Sequence, residues 1–148
     1  MKLTICGSIA FHDEIKQLKR ELEALDHTVK IPANTVKDKS GTPIPAKEFY
    51  NRYKKTAKPQ DLWIWQRVQE NIHRHFQKIA WSDAILVANY DKNGIAKYIG
   101  GNTLMEMGLA LYLKKKIFLL KPIPEVSYKE ELLAMSPIII RGNLNKIS

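Results

Sequence analysis

A chain of 148 residues, 45% hydrophobic, with a formal charge of +9 and a single cysteine, can bury one core but is too short for two ordinary domains. No apolar run is long enough to cross a bilayer, the opening "MKLTICGSIAF" has no signal-peptide pattern, no internal disulfide can form, and one thiol with four scattered histidines is a poor zinc inventory. The expectation is one cytoplasmic domain over 1–148, with no membrane partner, no metal and no cofactor. The charge makes polyanions attractive, yet Lys and Arg fall in short groups mixed with acids, with no basic tail, zinc-finger spacing or RNP-like aromatic motif, which argues against nucleic acid as the main partner.

In chain order, "KLTICGS" is a β-rich run ending in Gly-Ser, and "HDEIKQLKRELEALDH" follows with Ile15, Leu18, Leu22 and Leu25 at helical spacing, which makes a βα unit. "TVKIP" is a second strand. Residues Ala33 to Pro59 carry a glycine, three prolines and many charges with little periodicity, which predicts an irregular excursion of the kind that forms lids or interfaces. From Gln60, a helix is predicted with Leu62, Trp65, Ile72, Phe76 and Ile79 on one side. "DAILVANY" is a continuous apolar strand suited to burial on both faces, "KIFLL" a fourth strand, "SYKEELLAM" a short helix and "PIIIRG" a fifth strand. The pattern predicts a three-layer α/β/α fold, Rossmann-like or flavodoxin-like, around a mainly parallel five-stranded sheet.

Ligands of such sheets bind at the carboxyl ends of strands, where strand order reverses. The first loop there carries Gly7, Ser8 and Ile9: the glycine permits a tight turn, and the hydroxyl with nearby amides suits a phosphate or ribose hydroxyl. Ordinary turn chemistry explains Gly-Ser equally well. There is no GxGxxG and no P-loop ending. The second loop follows the third strand. Asn89 and Asp91 there suit a ribose or a loop cap, Gly100 and Gly101 admit close approach of backbone, and Asn102 or Thr103 can cap the next helix. Glu106 falls near the first turn, where an acid favours the helix dipole. Its neighbours Leu104, Met105, Met107, Leu109 and Ala110 nevertheless place it at the core's edge, where a carboxylate needs a partner or a task.

Taken together, "CGSI", "SDAILVANY" and "GGNTLMEMGLALYLKKKIFLL" resemble the nucleoside 2-deoxyribosyltransferase superfamily, which includes nucleoside 5′-monophosphate N-hydrolases. The similarity covers most of the chain outside Ala33 to Pro59. It implies that Glu106 is a nucleophile attacking C1′ of a nucleoside or nucleotide, giving hydrolysis with water or transfer with a second base. It further implies that Gly7 and Ser8 face the sugar or its phosphate, and that Gly100, Gly101, Asn102 and Thr103 line the sugar and 5′-phosphate.

The chain departs from the family at three places. His75 stands where the monophosphate hydrolases carry a catalytic Asp, which makes it a candidate acid near neutral pH. Thr4 or Ile5 replaces an aromatic hydroxyl in the first strand, and Lys92 and Lys97 occupy a loop that is shorter or acidic in many relatives. Two other classes stay open: a catalytically degenerate nucleotide-binding module and, less favoured, a basic nucleic-acid-binding protein. Asp83, Lys114, Lys115 and Lys116 are expected to be structural. The resemblance also implies a homo-oligomer, and Trp63 and Trp65 on the helix from Gln60 to Ile79 are the expected anchors, with Arg52, Lys54 and Lys55 helping to hold an anionic substrate.

Overall fold

Alternation along β1 (Lys2–Cys6) sends Leu3 and Ile5 to one face of a sheet and Thr4 and Cys6 to the other, and all four are buried. The computed structural model describes residues 1–148. It groups them into two units, Met1–Pro32 with Lys78–Ser148, and Ala33–Gln77.

The first unit is the predicted α/β fold. β1 pairs in parallel with β2 (Thr28–Lys30) on one side and β5 (Ala84–Val87) on the other, and β6 (Lys116–Leu119) and β7 (Ile138–Ile139) extend the sheet in the order β2-β1-β5-β6-β7, all parallel. β5 is buried at every position, as its unbroken apolar run predicts. Leu3, Ile5, Ala84, Leu86 and Phe118 pack on one face with Ile15, Leu18 and Leu22 of α1 (His12–Glu23). Leu25 lies beyond that helix and is exposed. The opposite face, to which Cys6 points, is covered by α4 (Gly101–Tyr112). A short α5 (Lys129–Ala134) precedes β7.

Polar ties align these layers. Asp83 accepts from the Lys2 backbone N–H at 2.8 Å and its own N–H donates to the Lys2 carbonyl at 2.9 Å, so its expected structural role is to register β5 on β1. The buried Thr4 hydroxyl donates to the Lys78 carbonyl at 2.8 Å, and the Lys78 ammonium donates to the Ile31 carbonyl at 2.9 Å. The lysine cluster is structural too, though not at the end of its own helix: Lys114 to Lys116 follow α4, and the Lys115 ammonium donates to the Ala80 and Ser82 carbonyls at the end of α3 (Leu62–Trp81).

The second unit corrects the expectation of an irregular excursion. β3 (Thr35–Lys37) and β4 (Pro43–Pro45) form an antiparallel hairpin, and α2 (Ala46–Arg52) follows. The Asp38 carboxylate organises the hairpin turn by accepting from Ser40 N–H and Thr42 N–H, each at 2.9 Å, and from the Ser40 hydroxyl at 2.6 Å. These bonds, that from the hydroxyl foremost, hold its pKa below the usual carboxylate value. Each three-residue strand sends one apolar side chain inward, Val36 or Ile44, too few for a visible period. They join Ala46, Phe49 and Ile64 in a separate small core, with Trp63 and Trp65 packed against it. Trp63 meets Tyr53 and Phe49 edge-on at 5.0 and 6.0 Å, and the Trp65 indole donates to the Lys58 carbonyl at 2.9 Å, so both tryptophans serve their own unit.

The buried positions of α3 are Ile64, His75 and Ile79: Ile79 is as predicted, Ile64 and His75 stand one position before the predicted Trp65 and Phe76, and Leu62 is exposed. No helix is long and apolar enough to cross a membrane. Phe49→Ala should destabilise the second unit by about 3–5 kcal/mol, as expected for emptying an aromatic site. A shift of the tryptophan-fluorescence unfolding transition to lower denaturant checks this.

Candidate active site

After β1 the chain turns outward to β2, then returns to add β5 on β1's other side, so the strand order reverses between β1 and β5. Gly7 closes this point. A Cβ there would stand 3.1 Å from the Ala88 carbonyl oxygen and 3.3 Å from Ile15 Cδ1, so the bare backbone is what lets the first turn rest against the end of β5. Ser8 then caps a 3-10 turn over Ile9–Phe11, its hydroxyl accepting from Ala10 N–H at 3.3 Å, and Ile9 is exposed beside it.

α4 brings Glu106 to the same edge. Its buried residues, Thr103, Glu106, Met107 and Ala110, keep the i, i+3, i+4, i+7 spacing of a core-facing stripe, so Glu106 occupies a place where the fold would otherwise take an apolar side chain. Two expectations are corrected. Gly100 is the N-cap, without a side-chain cap bond, which leaves Asn102 and Thr103 inside the helix. Glu106 is not in the first turn, so the helix dipole does not account for it.

Glu106 is 6% exposed, and this burial pushes its carboxyl up to about 8; a hydrogen bond donated by the Cys6 thiol works in the opposite direction. Burial first, then the charge and hydrogen bond of Glu106, push Cys6 well above the usual thiol range. Cys6 is therefore a thiol donor that holds the carboxylate, not a thiolate nucleophile. Sequence inspection had no signal for this pairing beyond the alternation of β1, because only the sheet order puts the end of β1 beneath α4.

The other candidates divide between scaffold and edge. Asn89 is fully buried, and its amide is committed to the protein: it donates to the Lys121 and Pro122 carbonyls at 3.2 and 3.1 Å and accepts from Lys121 N–H at 2.9 Å. It latches β5 to the chain leaving β6. Asp91 takes its loop-capping role, accepting from Lys97 N–H at 2.9 Å. Gly100 lies so close to Tyr98 that a Cβ would come within 2.7 Å of the phenol oxygen, whereas Gly101 faces open space at the helix start. Lys92 reaches this edge, its ammonium donating to the Ser8 hydroxyl at 2.8 Å. His75 is a buried residue of α3 within the second unit's span. Arg52, in that unit, pairs with Glu48 at 3.0 Å and stacks over Tyr53, so its charge is already partnered.

No protein-family model matches the chain, and no curated protein matches it in sequence. Among solved structures it is similar to the CMP N-glycosidase BcmB of Clostridium botulinum, with a TM-score of 0.50 and 15% identity over 99% of this chain and 98% of that one. It is also similar to a 2-deoxyribosyltransferase of Bacillus psychrosaccharolyticus, with a TM-score of 0.45 and 17% identity over 80% of this chain and 71% of that one. What the likeness to BcmB over nearly the whole of both chains establishes is a shared α/β fold with a mainly parallel five-stranded sheet.

The Glu106 carboxyl makes stability depend on pH in a defined direction. Its folded-state pKa is above the ordinary value of 4.5, so between about 4.5 and 8 the folded chain keeps a proton that the unfolded chain releases. The contribution is complete below that window and declines by roughly 1.4 kcal/mol per pH unit as pH rises to about 8. Glu106→Gln mimics the protonated form, so its stability advantage over the wild type should grow from pH 5 to pH 8. Parallel denaturation curves with a constant difference across that range would show the carboxyl to be an ordinary one.

Proposed function

We propose that the protein cleaves or transfers the N-glycosidic bond of a nucleoside or nucleoside 5′-monophosphate, with Glu106 as the nucleophile. The observation that carries this is a carboxyl placed on a core-facing helix position, braced by Cys6 at the point where strand order reverses. A carboxylate in an apolar setting is poorly solvated and gains most when a positive centre arrives beside it. The oxocarbenium character of C1′ supplies that centre as the glycosidic bond stretches. The carboxylate oxygen then forms a bond to C1′ while the C1′–N bond breaks, and the electron pair leaves with the base, which takes up a proton. Water attacking C1′ of the ester restores the carboxylate and releases the sugar; a second base in its place gives transfer. The Cys6 thiol, by donating to the carboxylate, orients it and steadies its charge.

Gly7, Ser8, Ile9 and the Gly100 to Thr103 start of α4 are assigned to the sugar and its substituents, and His75, which stands in the sequence where the resembled hydrolases carry a catalytic Asp, is the candidate that protonates the leaving base. The fold shared with a CMP N-glycosidase supports the reaction class. The test is to incubate the protein with a panel of nucleosides and their 5′-monophosphates and to follow free base by chromatography. Binding without base release would make the chain a nucleotide-binding module. With a pKa of about 8, roughly a tenth of Glu106 is ionised at pH 7, so kcat/KM should rise with pH until about 8. Glu106→Ala and Glu106→Gln should each lower turnover by on the order of 10³ or more; near-wild-type turnover in either removes the mechanism.

A homo-oligomer belongs to the same proposal, with its interface moved from the tryptophans to α4. The outer line of that helix is Met105, Gly108, Leu109 and Tyr112, with Met105 47% and Tyr112 81% exposed. Met105 and Tyr112 are thus exposed apolar side chains on one line of the helix, with Gly108 and Leu109 half-buried between them. Tyr112→Lys should convert the oligomer to a monomer in light scattering. A wild-type monomer at high concentration would show that the face serves no assembly.

A further inference from the structure

Lys92 is a cation at the carboxyl edge of the sheet. Its ammonium is partly withdrawn from water and is held by a neutral hydroxyl, Ser8 Oγ at 2.8 Å, and by the face of Tyr98, 5.0 Å from the ring centroid. No carboxylate is recorded within ion-pair distance of it; the ion pairs of the chain lie elsewhere, at Lys19, Arg52, Arg67 and Lys129. An ammonium has three donors, and here the protein takes one of them.

The backbone that carries Lys92 is braced at several points. Lys92 and Ile95 exchange backbone hydrogen bonds at 2.9 Å in each direction, Asp91 closes the loop on Lys97, and Tyr98 N–H donates to the Tyr90 carbonyl at 2.9 Å. Asn93, Gly94 and Lys97 adopt positive φ values of 50°, 76° and 57°, a conformation that tightens the turn and that residues other than glycine seldom take. Asn-Gly is the pair that such a two-residue turn favours, so the loop places a cation at the switch point with left-handed strain only at Lys97. The same Tyr98 ring touches both Lys92 and Gly100, so the cation shares one wall with the start of α4.

Building on the reaction class proposed above, we infer that Lys92 selects the charged form of the substrate, its ammonium pairing with the phosphomonoester of a nucleoside 5′-monophosphate, so that the free nucleoside is the poorer ligand. A phosphate dianion supplies what the site lacks: a counter-charge and acceptors for the remaining ammonium donors.

The experiment separates this from the chemistry by measuring affinity in the Glu106→Gln background, where no turnover consumes the ligand. Calorimetric titrations with adenosine, guanosine, cytidine and uridine, their 2′-deoxy forms and the 5′-monophosphate of each give a monophosphate-to-nucleoside affinity ratio. With Lys92 that ratio should be tenfold or more for the preferred base and should fall as salt is raised. In Lys92→Met it should collapse to near one, and Lys92→Arg should restore most of it. A merely structural lysine would change both affinities together and leave the ratio unmoved. Equal affinities for nucleoside and monophosphate with Lys92 intact, or a ratio unchanged in Lys92→Met, overturns the inference. A Lys92-dependent ratio in a protein that releases no base would uphold the inference while removing the reaction assigned to Glu106.

Discussion

A carboxyl held almost entirely out of water, against a thiol, where a parallel sheet reverses its strand order, is the constraint around which the first unit is organised. Glu106 reaches that place because it lies on the inward stripe of α4, and Cys6 meets it because β1 alternates and ends directly below. The thiol can only donate, since burial and the neighbouring acid keep its proton on. Burial outweighs that hydrogen bond, so the acid is stable as a neutral group and costly as an anion. Perturbation of this kind concentrates at functional sites, where the lost solvation is recovered by a positive charge in the ligand or the transition state.

The scaffold around that pair is built largely by side chains that first look like ligand contacts. Asn89 and Asp91 have the residue types and the loop position of ribose binders, yet both complete the protein's own hydrogen bonds. The lysines behave in the same way. Lys78, Lys115 and Lys116 each donate to backbone carbonyls that would otherwise end strands, helices or the chain without a donor, and Lys30 lies 4.0 Å over the Trp81 ring. These four lysines are thus used in closing the fold. Lys92 departs from this pattern because it is offered a hydroxyl and a π face in place of a carbonyl or carboxylate.

The second unit shows how a polar, proline-bearing segment acquires structure without periodicity. Its hairpin depends on the three hydrogen bonds accepted by the Asp38 carboxylate and on one inward side chain per strand, while Phe49 is buried in the small core and Tyr53, Trp63 and Trp65 pack against it half-buried. Short strands carry too few residues for alternation to appear, and Pro43 and Pro45 on either side of Ile44 read as loop punctuation although a two-stranded hairpin tolerates them at its edges.

The sequence by itself determined the α/β class, the order of the main strands and helices, and the anomaly at Glu106. Each is a local property: an unbroken apolar run is a doubly buried strand wherever it packs, and an acid within an apolar helix is conspicuous from its neighbours alone. Leu25, the stripe of α3 and the capping of α4 were misplaced by a residue or a turn, because helix ends and rotational phase depend on what the helix packs against. The tertiary structure alone decided that Cys6 is Glu106's partner, that Asn89 and Asp91 serve the scaffold, that the tryptophans fill a separate core, and that Lys92 meets Ser8. The contacts of Cys6 with Glu106, Asn89 with Lys121 and Lys92 with Ser8 join residues far apart in the chain, the last of them 84 positions apart, and which strand ends become neighbours is set by the order of strands in the sheet, a quantity that no local pattern of residues encodes.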